Sequence, residues 1–173
     1  MGMSRGGIGG GFGLVGVLLA AQIMPPLTAA AFLLPILVVT DPFAYWLYRK
    51  HVLWRSMNIL LSGSLAGYSS FLIHSGLPPI AAYLLPQNIT RQAFLGTVAV
   101  FFSICNFLKI VPYWYLGIFN FDLIGLTSLF IPISFVGLFV GRIINHFLTD
   151  RIFFIIVYIT IFALGVRLIW TGV

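Results

Sequence analysis

No charged residue interrupts the chain between Gly6 and Thr40, and the first eleven residues of that stretch, Gly6 to Gly16, contain seven glycines. Glycine inside a regular helix costs about 0.5–1 kcal/mol relative to alanine. Seven together in an apolar segment therefore specify either a broken backbone or very close helix packing. Small residues let helices approach, as in GxxxG pairs. A broken span instead frees backbone N–H groups that can face an anion. In a bilayer such irregular backbone survives only where protein or a water-filled cavity covers it. On the glycines alone both readings stay open, and Gly9, Gly10 and Gly11 are the candidate N–H donors. Gly11-Phe12-Gly13-Leu14-Val15-Gly16 also fits G-x-G-x-x-G. The dinucleotide reading fails because it needs a preceding strand and an acidic residue about 20 positions on.

The solvent of the chain follows from its charge content. Of 173 residues, 61% are hydrophobic and 7% charged, against about 25% charged in soluble domains. Such a chain cannot cover a water-facing surface, so its partner is the lipid bilayer. The net charge of +6 comes from Lys50, Lys109 and seven arginines against Asp41, Asp122 and Asp150, with no Glu. The cations are scattered singly between apolar spans and form no nucleic-acid patch. Topogenic charge in short loops is the ordinary explanation. Cys105 is the lone cysteine and reads as a small buried hydrophobe, so no metal site, disulfide or cofactor follows. Arg5 followed by an apolar stretch mimics a secretory leader, but the glycine density and the continuation into a second apolar span argue against one.

A membrane-spanning helix needs about 20 apolar residues. The candidates are Gly6–Met24, Leu27–Tyr48 interrupted by Pro35, Asp41 and Pro42, Ser56–Ile73, Gln92–Leu116, and the two cleanest, Phe121–Val140 and Ile152–Trp170. Aromatic residues crowd their ends, as in interfacial belts. The expected fold is an all-α integral membrane domain over residues 1–173, with about five to six hydrophobic segments. A weak internal repeat at an offset of roughly 65–67 residues lays Gly9–Gly11 over His74–Gly76, Asp41 over Asn106 and Trp54 over Phe121. It divides the chain into a partial first repeat, 1–58, and a second, 59–173, each with a Gly/Pro-broken helix. Repeats with broken helices mark secondary transporters. Both basic loops, one at Arg49, Lys50 and Arg55 and the other at Arg142 and Arg151, can be cytoplasmic only if residues 56–116 cross an odd number of times. Positive-inside counting leaves that open.

His74-Ser75-Gly76-Leu77-Pro78-Pro79 is the second break. Neither proline has an N–H, and each ring clashes with the preceding turn. A half-helix therefore starts near Pro78, where Ser75 could cap it. His74 is either a proton carrier or a histidine bonded to backbone that the prolines leave open. A charge facing the centre of the lipid costs about 2.5–3.5 kcal/mol, so Asp41 is expected either in the protein interior or at the interface. Lys109 either snorkels to the interface or faces inward and attracts an anion. Ser75, Thr97 and Asn106 could supply hydrogen bonds. No nucleophile, base and orienter appear together, so an enzyme is not expected.

Four stretches together resemble the sulfite exporter TauE/SafE family of membrane anion permeases. They are GMSRGGIGGGFGLVGV, PPLTAAAFLLPILVVTDPFAYW with RKHVLW, the segment from GSLAGYSS through HSGLPP to KIVPYWYLG, and the C-terminal GRIINHFLTDRIFFIIVYITIFALGVRLIW. Leu77 stands where the family often has glycine, and the last two segments of the first repeat are missing near Met57–Ser62. The resemblance implies a shortened permease of a bacterial inner membrane. It would export a small anion: sulfite, an organosulfonate or a related organic anion. Gly9, Gly10, Gly11, His74, Ser75, Gly76, Pro78, Pro79, Thr97, Asn106 and Lys109 would bind it, and Asp41 or His74 would couple a proton. The alternative is a non-transporting membrane fragment or subunit that packs with a partner. A homodimer could rebuild the missing wall.

Overall fold

The computed structural model describes residues 1–8, 16, 20, 23–54, 60–73, 76–118 and 121–171. The candidate residues Gly9, Gly10, Gly11, His74 and Ser75 lie outside them. Among the described residues the chain is helical throughout, with no strand. One wide turn, Ser4–Ile8, precedes seven helices: α1 (Pro26–Tyr48), α2 (Leu60–Ile73), α3 (Leu77–Leu84), α4 (Arg91–Tyr115), α5 (Phe121–Ser128), α6 (Ile131–Phe147) and α7 (Asp150–Thr171). Among the described residues three stretches are long and apolar enough to cross a membrane: Leu27–His51, Arg91–Tyr115 and Ile124–Phe147.

Two expectations change. Pro35 and Pro42 do not interrupt α1, which runs through both. Prolines are tolerated inside membrane helices where neighbouring helices and hydroxyls make good the lost bonds. Thr40, buried, donates from Oγ1 to the carbonyls of Ile36 at 2.8 Å and Leu37 at 3.2 Å. The second change lies inside Phe121–Val140, whose span, Ile124–Phe147, carries a local turn in its helix. The helix stops at Ser128, turns through Leu129 and Phe130, and resumes as α6 with Pro132 in its first turn. Proline suits a first turn and disfavours helix in the residue before it.

Helix α1 packs mainly on α4, the Ser4–Ile8 turn packs on α6, and α2 with α3 forms a hairpin. Leu77, Ile80, Leu84, Phe94, Phe153 and Val157 form the largest core cluster, which joins α3, α4 and α7. Tyr48 at the end of α1, His51 just beyond it, Arg91 at the start of α4, and Arg142 and His146 late in α6 line one cavity. Both basic loops therefore lie at one end of the molecule. From the α2–α3 hairpin the chain returns to that end, because Arg91 follows α3 closely.

Candidate functional site

The charges that composition makes expensive are gathered in one buried chain of contacts. Asp41, on α1, is 2% exposed; Asn106 and Lys109, one turn apart on α4, are 1% and 3% exposed. Asn106 Nδ2 donates to Asp41 Oδ2 at 2.7 Å. Lys109 Nζ donates to Asn106 Oδ1 at 3.3 Å and to Ser70 Oγ, on α2, at 2.7 Å. Arg5 closes the other side, its Nε 2.9 Å from Asp41 Oδ1 in an ion pair without an aligned hydrogen bond. The Arg5 guanidinium also lies 5.5 Å from the centre of the Phe102 ring, a cation–π distance. Lys109 therefore faces inward and does not snorkel, and Asp41 is an interior group. With Lys109 protonated, this cluster carries two positive charges against one negative.

The first break brings Arg5 to this place. Gly7 has φ +125°, a region that side chains rarely adopt, and the turn it makes lies flat against α6. A Cβ on Gly6 would stand 2.0 Å from the Leu138 carbonyl oxygen, and one on Gly141 2.4 Å from that of Met3. Gly2 and Gly6 face Gly137 and Gly141, so two small-xxx-small ridges meet. The carbonyls exposed by the turn are used internally: Tyr48 Oη donates to Gly6 O at 2.6 Å, and Asn145 Nδ2 donates to Gly7 O. In its described part, this break follows the close-packing reading.

The second break lies beside the polar chain. Gly76 is buried, and a Cβ there would meet Ala66 O at 2.6 Å, Phe102 Cε1 at 2.7 Å and Ser70 Cβ at 2.9 Å. It therefore touches both the residue that holds Lys109 and the ring beneath Arg5. Helix α3 starts at Leu77 with Gly76 in the cap position, one residue beyond Ser75. Pro78 and Pro79 fall at the second and third positions and have no N–H, so two of the four free donors of this helix start are absent. Gly76 and Leu77 supply the other two. Thr97 is not part of this group. It lies about 18 Å up the α4 axis from Lys109 at 1.5 Å per residue. There it accepts from Leu53 N at 3.0 Å and donates to Ala93 O at 2.8 Å, tying the loop after α1 to α4.

Sequence reasoning missed Arg5 and Ser70. Arg5 is the only charge before Asp41 and stands directly against the glycine run, which was the available signal. Ser70 gave none, since a hydroxyl in an apolar helix is ordinary and its contact spans 39 residues. No group of three or more metal-ligating side chains occurs among the described residues.

A family model described as Sulfite exporter TauE/SafE matches residues 58–168, well over half of the chain. The chain belongs to this family, the one its motifs resemble, and so to a family of membrane transporters rather than enzymes. The match covers Ser70, Gly76, Pro78, Pro79, Thr97, Asn106 and Lys109, while Arg5 and Asp41 precede it. Neither a comparison with curated proteins nor one with solved structures gives a significant match.

Proposed function

We propose that this member of the sulfite exporter TauE/SafE family is a permease that moves a small sulfur oxyanion, sulfite or an organosulfonate, out of a bacterial cytoplasm. The observation that carries the reading is the buried cluster of Arg5, Asp41, Asn106 and Lys109, which with Lys109 protonated holds one more cation than anion beside a helix break. An anion entering there would gain the Lys109 ammonium, the Ser70 hydroxyl, the Asn106 amide and the N–H groups of Gly76 and Leu77. Preformed donors in a water-poor site interact strongly with charge, and Arg5 and Asp41 would hold the field in place. Pro78 and Pro79 would act by fixing the break rather than by donating. Gly9, Gly10, Gly11 and Ser75 remain proposed donors. Thr97 keeps its proposed hydrogen-bonding role only if the anion's path extends along α4. Asp41 or His74 would carry the coupled proton.

The repeat is part of the same proposal. Asp41 and Asn106, matched at an offset of 65 residues, are hydrogen-bonded to each other, which supports two units, 1–58 and 59–173, meeting at their equivalent polar positions. Five to six hydrophobic segments, the hairpin among them, fit this division. The basic end, with Arg49, Lys50, Arg91, Arg142 and Arg151, would face the cytoplasm of a bacterial inner membrane. A cavity of about 300 Å³ beside Asp41 is lined by exposed Tyr45 and Phe107, and a second copy in a homodimer would cover it.

Release of labelled sulfite from proteoliposomes holding wild type or Lys109→Ala tests the proposal. Wild type should exceed empty liposomes, and Lys109→Ala should fall to their level while eluting as folded protein. Equal flux in both proteins would remove Lys109 from the mechanism. No flux from correctly inserted wild type would leave the non-transporting subunit as the better reading.

A further inference from the structure

The basic end holds a second concentration of charge, outside the buried cluster. A cavity of about 560 Å³ opens there, with Tyr48, His51, Arg91, Arg142 and His146 in its wall. Arg91 is already committed. It donates to the carbonyls of Asn145, at 2.6 Å, and Leu148, and its Nε lies 3.5 Å from Asp150 Oδ1, so Asp150 offsets its charge. Tyr48 gives its hydroxyl to Gly6 O. Arg142 is exposed, and it is the cation here with charge to offer a ligand, flanked by exposed His51 and His146.

Arg142 also lines a second cavity, of about 470 Å³, with Pro42, Phe43, Trp46, Leu47, Leu138 and Phe139. The two spaces share Leu47, Phe139 and Arg142. One is basic and lies at the end of the helices. The other is apolar and runs one turn deeper, between α1 and α6. A free oxyanion would have no use for the apolar half, and a hydrocarbon none for the basic half.

We infer that this composite site binds an anionic phospholipid, with the headgroup phosphate at Arg142 and one acyl chain along Trp46, Phe43 and Phe139. Basic pockets between membrane helices on the cytoplasmic side suit such headgroups. Bound there, the lipid bridges the ends of α1 and α6, the two helices that clasp the Ser4–Ile8 turn carrying Arg5.

Native mass spectrometry of the full chain released from mixed phosphatidylglycerol and phosphatidylcholine micelles tests this. Phosphatidylglycerol should stay bound in preference to phosphatidylcholine. Arg142→Gln should weaken its retention about five-fold, the effect of one cation at the membrane surface. Arg142→Lys should restore most of it. Arg151→Gln, exposed at the same end but outside the cavity wall, should leave it unchanged. Phe139→Ser should also weaken retention, because the chain loses its groove. Equal retention of the two lipids, or no effect of Arg142→Gln, overturns the proposal. Displacement of the lipid by millimolar sulfite or inorganic phosphate would also overturn it and mark the cavity as a free-oxyanion site.

Discussion

The two helix breaks look alike in sequence and differ in what surrounds them. At the first, around Gly6 and Gly7, the backbone is pressed against α6 and its freed carbonyls are taken by Tyr48 and Asn145. At the second, around Gly76, the backbone lies against Ser70 and Phe102, next to cationic groups on both sides. In its described part the first break is closed and serves to place one charged side chain, Arg5. The second sets Gly76 against Ser70, which holds Lys109, and against the ring beneath Arg5. Glycine density therefore reports close packing as readily as it reports a binding site. What separates the two is where polar groups of other helices end up.

The ion pair between Arg5 and Asp41 connects the two regions, so cutting it is the strongest way to break the comparison. Removing one partner of a buried pair costs about 3–5 kcal/mol, because the other charge is left uncompensated. Asp41→Asn should lower the thermal unfolding midpoint of the detergent-purified protein more than any glycine or tyrosine substitution does. Arg5→Met with Asp41→Leu should recover part of that loss. A single variant with wild-type stability would mean that Arg5 does not reach Asp41 in the folded protein.

Next come the glycines that let the first break lie on α6. Gly6→Ala and Gly141→Ala each put a Cβ 2.0–2.4 Å from a backbone oxygen, where no side chain can move aside. Overpacking of this kind costs about 1–3 kcal/mol. Gly125→Ala meets nothing within 4 Å and lies in α5, so it should be neutral or stabilise by up to about 1 kcal/mol. Size-exclusion profiles and unfolding midpoints read the difference. Equal behaviour of the three variants would deny the first break its packing role.

Much of this contrast is legible in the residues alone. The proposed repeat sets Asp41 against Asn106, and those two are hydrogen-bonded. The one lysine inside a span faces inward, because a bilayer leaves a mid-span cation few other places to go. Other features depend on contacts between residues far apart in the chain. Arg5 near the start reads as a leader's positive flank until the turn at Gly7 folds it back onto α1 and α4. Arg142 reads as loop charge, and only the meeting of three helix ends makes it one pocket with Arg91, His51 and His146. The break before Pro132 is locally visible, but the apolar run from Phe121 to Val140 outweighs it. The reverse error occurs in α1, where two prolines suggest an interruption and tertiary packing keeps the helix whole.

A smaller effect on stability should accompany a larger one on transport at the second break. Gly76→Ala brings a Cβ to 2.6 Å from Ala66 O and 2.7 Å from Phe102 Cε1. The Ala66 carbonyl is backbone and cannot swing aside, so stability should fall by about 1–3 kcal/mol, while the Phe102 ring turns away. Its displacement would shift the surface beneath the Arg5 guanidinium, however, and sulfite flux should fall more than stability does. The same ratio of losses in Gly76→Ala and Gly6→Ala would make the two breaks equivalent.

The smallest effect expected is at the far end of the hairpin, where Tyr113 Oη donates to Phe71 O and the two rings meet edge to face at 5.1 Å. Tyr113→Phe keeps the ring contact and removes only the hydroxyl. A hydrogen bond of this kind contributes about 1 kcal/mol net, and the Phe71 carbonyl is left in a helix end that can relax. The midpoint should drop slightly. Flux through wild type and Tyr113→Phe should agree, since the hydroxyl ties the hairpin to α4 without touching Lys109 or Ser70. A strong loss of flux with intact stability would move the functional part of the second break from Gly76 toward the Phe71 end of α2. The contrast between the two breaks would then rest on how firmly the hairpin is held rather than on which side chains it faces.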